Sequence, residues 1–86
     1  MYKLLFSKQA VKDAEKIKKA KLEKRCKALL EILSSDPFLN YPPYEKLVGD
    51  LKGFFSRRIN IQHRIVYEVD DSTKIIKILR MWTHYE

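Results

Sequence analysis

Five polar residues in the second half of the chain have the chemical types needed to cut RNA without a metal ion. They are a carboxylate, three arginines and a histidine: Glu45, Arg57, Arg58, Arg64 and His84. RNA carries its own nucleophile, the ribose 2′-hydroxyl. Cleavage therefore needs a base to deprotonate it, cations beside the phosphate and an acid for the leaving 5′-oxygen. A glutamate, an arginine and a histidine can fill these three roles, which favours ribonuclease chemistry.

The same sequence argues against several other kinds of site. Cys26 is the single cysteine, and the two histidines, His63 and His84, are far apart and form no HExxH motif. Gly49 and Gly53 fit neither a Walker motif nor a dinucleotide-binding motif. We therefore predict that the protein uses no metal and no cofactor.

Some of the candidates also have a purely structural interpretation. An arginine on a sheet surface is often only solvated or ion-paired, which applies to Arg57 and Arg58. His63 follows a predicted turn at residues 60–62, and a structural role is favoured for it.

The C-terminal residues can be interpreted in two ways. A terminal histidine such as His84 often belongs to a frayed end, but the aromatic residues beside it favour order. Trp82 and Tyr85 could stack on RNA bases, or they could cover the edge of the core.

The length and charge of the chain limit its partners. A chain of 86 residues forms one compact domain, which we assign to residues 1–86. Its net charge is +7 and its pI is about 9.6, which favours a polyanionic partner. The lysine-rich stretch 12–27 is either a solvated face or a landing surface for a large RNA. The sequence contains neither a membrane-spanning run nor a signal-peptide core, so a cytoplasmic location and no membrane partner are expected.

Two helices are predicted in the first half of the chain. Ser7 is a good N-cap for the first, whose apolar stripe would be Val11, Ala14 and Ile17, with Asp13 among the charges on the solvent side. The second helix has leucines and Cys26 at positions 22, 26, 29, 30 and 33, a helical spacing, and it ends before residue 37.

The remaining patterns predict strands. Apolar and β-branched residues indicate strands at 2–6, 44–48, 54–61, 64–69 and 74–83. Within the fourth of these, Ile65 and Tyr67 alternate with Arg64, so Arg64 should face away from the core. The proline-rich stretch 37–43 is expected to be an ordered loop. The fold class is α+β in the order β-α-α-β-β-β-β. An N-terminal strand and a helical hairpin pack on a mainly antiparallel sheet of about four to five strands, and one sheet face stays open.

Several stretches of this sequence resemble the YoeB/Txe toxins of the RelE-like superfamily. They are Leu51-Lys-Gly-Phe-Phe-Ser-Arg-Arg-Ile, His63-Arg64-Ile-Val-Tyr, Arg80 and the terminal His84-Tyr85. The resemblance extends over essentially the whole chain, including its length and element order. It implies a RelE-like fold and the toxin of a type II toxin-antitoxin pair, which enters the ribosomal A site and cleaves the bound mRNA.

The resemblance also implies roles for individual residues. Glu45 would be the general base, Arg64 the phosphate-stabilising cation and His84 the general acid, with Tyr85 as the terminal tyrosine beside it. The basic pair of the family, which would contact RNA, corresponds to Arg57 and Arg58.

One position departs from the family pattern. Related toxins can place a lysine shortly after the glutamate, but this chain has Val48 there. Lys46 or Lys52 could supply the missing cation and contact RNA instead.

Partners follow from the same resemblance. It implies a cognate acidic antitoxin, YefM/Phd-like or Axe-like, together with the ribosome and mRNA. Family toxins can also form homodimers, and operator DNA would be bound only by the toxin-antitoxin complex. Two alternatives remain open: a ParE-like toxin that inhibits gyrase, and a noncatalytic RNA-binding module.

Overall fold

A computed structural model describes residues 1–82 of the protein. The elements in chain order are β1 (Lys3–Phe6), α1 (Lys8–Lys19), α2 (Glu23–Ser35), β2 (Tyr44–Lys46), a short 3-10 helix (Gly49–Leu51), β3 (Phe54–Arg58), β4 (Arg64–Asp70) and β5 (Ile75–Arg80). The predicted α+β class and the order β-α-α-β-β-β-β are confirmed. Neither helix has the length and apolar character required to span a bilayer, as far as the described residues go.

The sheet has five strands in the order β1-β5-β4-β3-β2. β1 runs parallel to β5, whereas the other neighbouring strands are antiparallel, so the sheet is mainly antiparallel as expected. β3 and β5 are shorter than the predicted strands 54–61 and 74–83, because β3 ends at Arg58 and β5 ends at Arg80.

The two helices cover one face of the sheet. Ser7 caps α1, its hydroxyl accepting a hydrogen bond from the Ala10 N–H at 2.9 Å. α2 buries Cys26, Leu29 and Leu33 and packs Leu22 and Leu30 against the core, which confirms its predicted apolar face. Strands β4 and β5 supply the other side of this core: Ile65, Tyr67, Ile76 and Ile78.

The predicted apolar stripe of α1 was wrong at two positions. The buried residues are Ala10, Asp13 and Ile17, whereas Val11 and Ala14 are exposed. An aspartate can occupy the inner face because four hydrogen-bond donors surround its carboxylate, which removes most of the cost of burying a charge. α1 is therefore rotated relative to the orientation that hydrophobicity alone predicts.

Candidate functional site

Three side chains meet on the sheet face that the helices leave open. Glu45 on β2 is directly opposite Ser56 on β3, and Ser56 is opposite Val66, two residues beyond Arg64 on β4. Arg64 Nη1 donates to Ser56 Oγ at 3.1 Å and lies 3.2 Å from Glu45 Oε2. Ile65 and Tyr67 pack in the core on the helical side of the sheet. Arg64 points to the other side, which confirms the prediction that it faces away from the core.

The partners differ sharply in exposure. The Arg64 side chain is 11% exposed, whereas the Glu45 side chain is 62% exposed. The guanidinium is thus held by the protein, while the carboxylate stands in solvent and can exchange its partner. A rigid cation next to a solvent-accessible carboxylate is suited to binding an anion and accepting a proton from a hydroxyl group beside it.

Glu45, Ser56 and Arg64 line a pocket of about 560 Å³, which we call the Glu45–Arg64 pocket. The other residues around it are Arg25, Pro42, Pro43, Arg58, Ile59, Asn60 and Ile61. Arg58 is exposed, and it is directly opposite Arg64 across β3 and β4. The pocket therefore combines one accessible carboxylate with three arginines, a charge balance that favours a phosphate-bearing ligand.

Arg57 lies on the other side of the sheet from its neighbour Arg58. It is fully buried and donates to Tyr67 Oη at 3.1 Å and to the Pro37 carbonyl at 2.9 Å. It also donates to the carbonyls of Leu39 and Pro42. A buried guanidinium with these bonds does not present itself to RNA, which argues against the expected RNA contact. Arg57 instead holds the ordered loop 37–43, and through Pro42 it fixes one wall of the Glu45–Arg64 pocket.

The two candidate lysines lie away from this pocket. Lys46 follows Glu45 in β2, so its side chain points to the opposite sheet face, and it is exposed. Lys46 and Lys52 both line a separate surface pocket at the connection between β2 and β3. The structure does not bring either lysine beside Glu45 and Arg64.

The two C-terminal candidates, His84 and Tyr85, lie outside the described residues; the two residues at the end of the described chain, Met81 and Trp82, make several specific contacts. The Asp13 carboxylate accepts hydrogen bonds from the backbone N–H groups of Met81 at 2.9 Å and Trp82 at 3.2 Å. The Trp82 ring stacks on the His63 ring, with centroids 3.7 Å apart and planes 17° apart. Since His63 directly precedes Arg64, this contact places Trp82 beside the start of β4, the strand that carries Arg64.

The electrostatics of Asp13 reflect these contacts. Burial by itself raises the pKa of Asp13. The hydrogen bonds from Arg80, Met81, Gln9 and Trp82 outweigh this effect and hold the pKa below its ordinary value. Asp13 is therefore ionised at neutral pH, and its buried carboxylate forms an ion pair with the partly exposed Arg80, with 2.9 Å between Oδ2 and Nε.

Sequence reasoning missed three residues that shape the site: Asp13, Arg25 and Ser56. Strand alternation could have identified Ser56, because it is two residues before Arg58 in β3 and therefore lies on the same sheet face. Arg25 belongs to the lysine-rich stretch, and nothing in its local pattern separates it from its basic neighbours. Within residues 1–82, the structure contains no group of three or more His, Cys, Asp or Glu side chains placed to hold a metal ion.

Comparison with known proteins identifies the family of the chain. The sequence profile of the YoeB-like toxins of bacterial type II toxin-antitoxin systems matches residues 6–85. The YoeB toxin of Synechocystis is 39% identical over 66 residues, which cover 77% of this chain and 74% of the relative. A YoeB-YefM complex from Staphylococcus aureus contains a chain that matches with a TM-score of 0.81 and 35% identity, covering 99% of both chains.

A second solved structure supports the same assignment. The YoeB dimer from Staphylococcus aureus matches with a TM-score of 0.79 and 36% identity, covering 98% of each chain. The match extends over nearly the whole fold, including the strands that carry Glu45, Ser56 and Arg64. The chain belongs to the family of YoeB-like toxins of bacterial type II toxin-antitoxin systems.

Proposed function

We propose that this toxin is a ribosome-dependent mRNA endonuclease that cleaves at the Glu45–Arg64 pocket. The observation that carries the proposal is the pairing of an exposed Glu45 carboxylate with a buried Arg64 guanidinium, 3.2 Å apart, on the open sheet face. A noncatalytic RNA-binding module needs exposed cations, but it does not need a carboxylate held among them, since that charge repels the backbone phosphates.

The chemistry follows from the positions of the two groups. Glu45 accepts the proton of the ribose 2′-hydroxyl, and the 2′-oxygen attacks the adjacent phosphorus. Arg64 stabilises the negative charge that builds on the phosphate oxygens, and Arg58 adds a second positive charge from the pocket rim. The bond to the 5′-oxygen then breaks, and that oxygen takes a proton from His84. The products are a 2′,3′-cyclic phosphate and a 5′-hydroxyl, and no metal takes part.

The roles of His84 and Tyr85 rest on their family resemblance and on the direction of the chain before them. Residues 81 and 82 are held by Asp13, and the Trp82 ring stacks on His63, the residue before Arg64. His84 is proposed as the leaving-group acid, with Tyr85 beside it.

Partners are proposed from relatives and from charge. A YoeB toxin of Staphylococcus aureus is found in complex with YefM, and the net charge of +7 here complements an acidic antitoxin of that kind. We propose a YefM-like antitoxin, operator DNA bound only by the joint complex, and a homodimer like that of the Staphylococcus aureus protein. A ribosomal substrate places the toxin in the cytoplasm.

The test is to map new 5′ ends on a single mRNA in a reconstituted translation system. The wild-type toxin should produce ribosome-dependent cuts with 5′-hydroxyl ends. Glu45→Gln and His84→Gln should each slow cleavage by about 100-fold to 10,000-fold, the range for loss of a general base or acid.

Glu68→Gln is the matched control, because Glu68 is a glutamate on the same sheet face but outside the pocket. It should cut at the wild-type rate. Full activity of folded Glu45→Gln and His84→Gln proteins would overturn the proposal. Intact mRNA together with DNA-damage signalling on induction would favour the ParE-like alternative instead.

A further inference from the structure

The chain after β5 is directed by an irregularity in the sheet. Tyr67 pairs with Ile78, but Val66 pairs with Arg80, so Leu79 is an extra residue in β5 at a β-bulge. A bulge bends its strand and changes the direction of the residues that follow it. Here those residues are Arg80, Met81 and Trp82, which lead to the proposed acid His84.

Asp13 on α1 holds this segment from the helical side. Its Oδ2 atom accepts from Arg80 Nε at 2.9 Å, from the Met81 N–H at 2.9 Å and from the Trp82 N–H at 3.2 Å. Its Oδ1 atom accepts from Gln9 Nε2 at 3.0 Å, which fixes the rotation of the carboxylate. Arg80 also donates to the Trp82 carbonyl at 3.1 Å, so the side chain that pairs with Asp13 braces the same backbone.

Two further contacts hold the segment from other directions. Met81 is buried, and its sulfur lies 3.8 Å from the Cys26 sulfur of α2. The Trp82 ring stacks on His63, next to Arg64. Three consecutive residues are thus fixed by α1, by α2 and by the start of β4, an arrangement that leaves little freedom to the backbone at residue 82.

We infer that Asp13 is a positioning residue for cleavage, because it fixes residues 80–82, the segment that leads directly to the proposed acid His84. The inference rests on the proposed function. His84 follows Trp82 by two residues, a length of chain that extends at most about 7 Å, so the acid is covalently tied to the segment that Asp13 holds. An acid that must protonate a leaving oxygen tolerates little displacement, and a shift of about 1 Å can cost about 100-fold in rate.

A purely structural role for Asp13 makes a different prediction from a positioning role. If Asp13 only stabilises the fold, its loss should act independently of His84. If it acts through His84, its loss should matter only while His84 is present. Combining the two substitutions therefore separates the possibilities.

The experiment measures single-turnover cleavage on ribosomes by four proteins: wild type, Asp13→Asn, His84→Gln and the double variant. Asp13→Asn should lower the cleavage rate about 10-fold to 100-fold and leave the half-saturating toxin concentration unchanged. In the His84→Gln background it should add less than about 3-fold. Leu33→Ala is the control for general destabilisation. Leu33 is buried in α2, and it takes no part in the hydrogen bonds and the ring stacking that hold residues 80–82.

A modified substrate gives a second readout. An mRNA with sulfur in place of the 5′-oxygen at the mapped cut has a leaving group whose conjugate thiol has a pKa of about 8.5, so it departs without a general acid. This substrate should restore most of the rate lost in Asp13→Asn and none of the rate lost in Glu45→Gln. Trp82→Leu, which removes the ring stacked on His63 without unpairing a buried charge, should behave like Asp13→Asn even if the latter fails to fold.

Two results would overturn the inference. One is a double variant whose cleavage rate is reduced by the full product of the two single reductions, those of Asp13→Asn and His84→Gln. The other is a rate in Asp13→Asn and Trp82→Leu that matches Leu33→Ala at equal folded fraction. Failure of the proposed function looks different, since His84→Gln would then cleave as fast as wild type whatever residue occupies position 13.

Discussion

Two carboxylate–arginine ion pairs of this fold, one held by helix α1 and one on the open sheet face, differ in which partner is buried. In the Asp13–Arg80 pair, 2.9 Å apart, the acid is fully buried and the arginine is 31% exposed. In the Glu45–Arg64 pair, 3.2 Å apart, the arginine is 11% exposed and the acid is 62% exposed. The buried partner is therefore the carboxylate in the first pair and the arginine in the second.

The difference in burial determines what each pair can do. Asp13 receives hydrogen bonds from the backbone of the segment it holds, and burial makes exchange of these donors for water costly. Glu45 has solvent around it and can give up Arg64 when a phosphate arrives. We call Asp13–Arg80 the closed pair, because its carboxylate is buried, and Glu45–Arg64 the open pair, because its carboxylate is exposed. The closed pair stabilises the fold, whereas the open pair can bind a ligand and react with it.

The largest expected effect comes from breaking the closed pair. Asp13→Ala leaves Arg80 and two backbone N–H groups without their acceptor, and it should lower the free energy of unfolding by about 3–5 kcal/mol. Glu45→Ala removes a carboxylate that is 62% exposed, leaves Arg64 bonded to Ser56 and unpairs no backbone donor, so it should cost less. Urea denaturation of both variants measures this contrast. Equal losses would contradict the distinction between the two pairs.

Breaking the open pair at its buried partner should act mainly on catalysis. Arg64→Ala removes the cation proposed to stabilise the developing phosphate charge, and cleavage on ribosomes should fall about 100-fold to 1,000-fold, equivalent to about 2.7–4 kcal/mol. Lys77→Ala is a suitable control, because Lys77 is an exposed cation in β5 outside the pocket. If both variants lost activity equally, general surface charge and not the pocket would account for the effect.

The acid dependence of stability should separate the pairs further. The pKa of Asp13 is lowered in the folded protein, so its stabilising contribution is fully present above the ordinary aspartate pKa of 3.8 and is lost as the pH falls through the lower folded value. Asp13→Asn should therefore narrow the difference in stability between pH 5 and pH 2. The exposed Asp70 and Asp71 also have lowered pKa values and remain in both proteins, so only the difference between the two curves is informative. Parallel curves would show that Asp13 does not contribute.

The contrast between the pairs also shows what the sequence could and could not reveal. Both members of the open pair were among the predicted site residues. Strand alternation puts Arg64 on the face opposite Ile65 and Tyr67, but the sequence did not show that Glu45 on β2 would meet it across the intervening strand β3. The closed pair was not predictable. Asp13 lies among charged residues in a helix whose neighbours Val11 and Ala14 are apolar, and its partner is 67 residues away.

Arg57 and Arg58 show the same limit within a single dipeptide. Adjacent residues in a strand point to opposite faces, so one of the two had to leave the open face. Sequence alone did not reveal that the helical side contains carbonyl groups of the loop 37–43 able to receive a guanidinium. A buried arginine is identified by its acceptors, and those come from a loop with no periodic pattern.

The smallest expected effect concerns the rim of the open pair. Arg25 on α2 is exposed and lines the Glu45–Arg64 pocket, so it can contact a phosphate next to the one being cut. Arg25→Gln should raise the half-saturating concentration a few-fold, leave the single-turnover rate unchanged and reduce the salt dependence of binding by about one phosphate contact. Lys24→Gln removes a neighbouring exposed cation that lies outside the pocket, and it should leave the salt dependence nearer to wild type. Equal effects of the two variants would mean that α2 contributes only diffuse charge, and the cations that act on the substrate would then be those of the sheet.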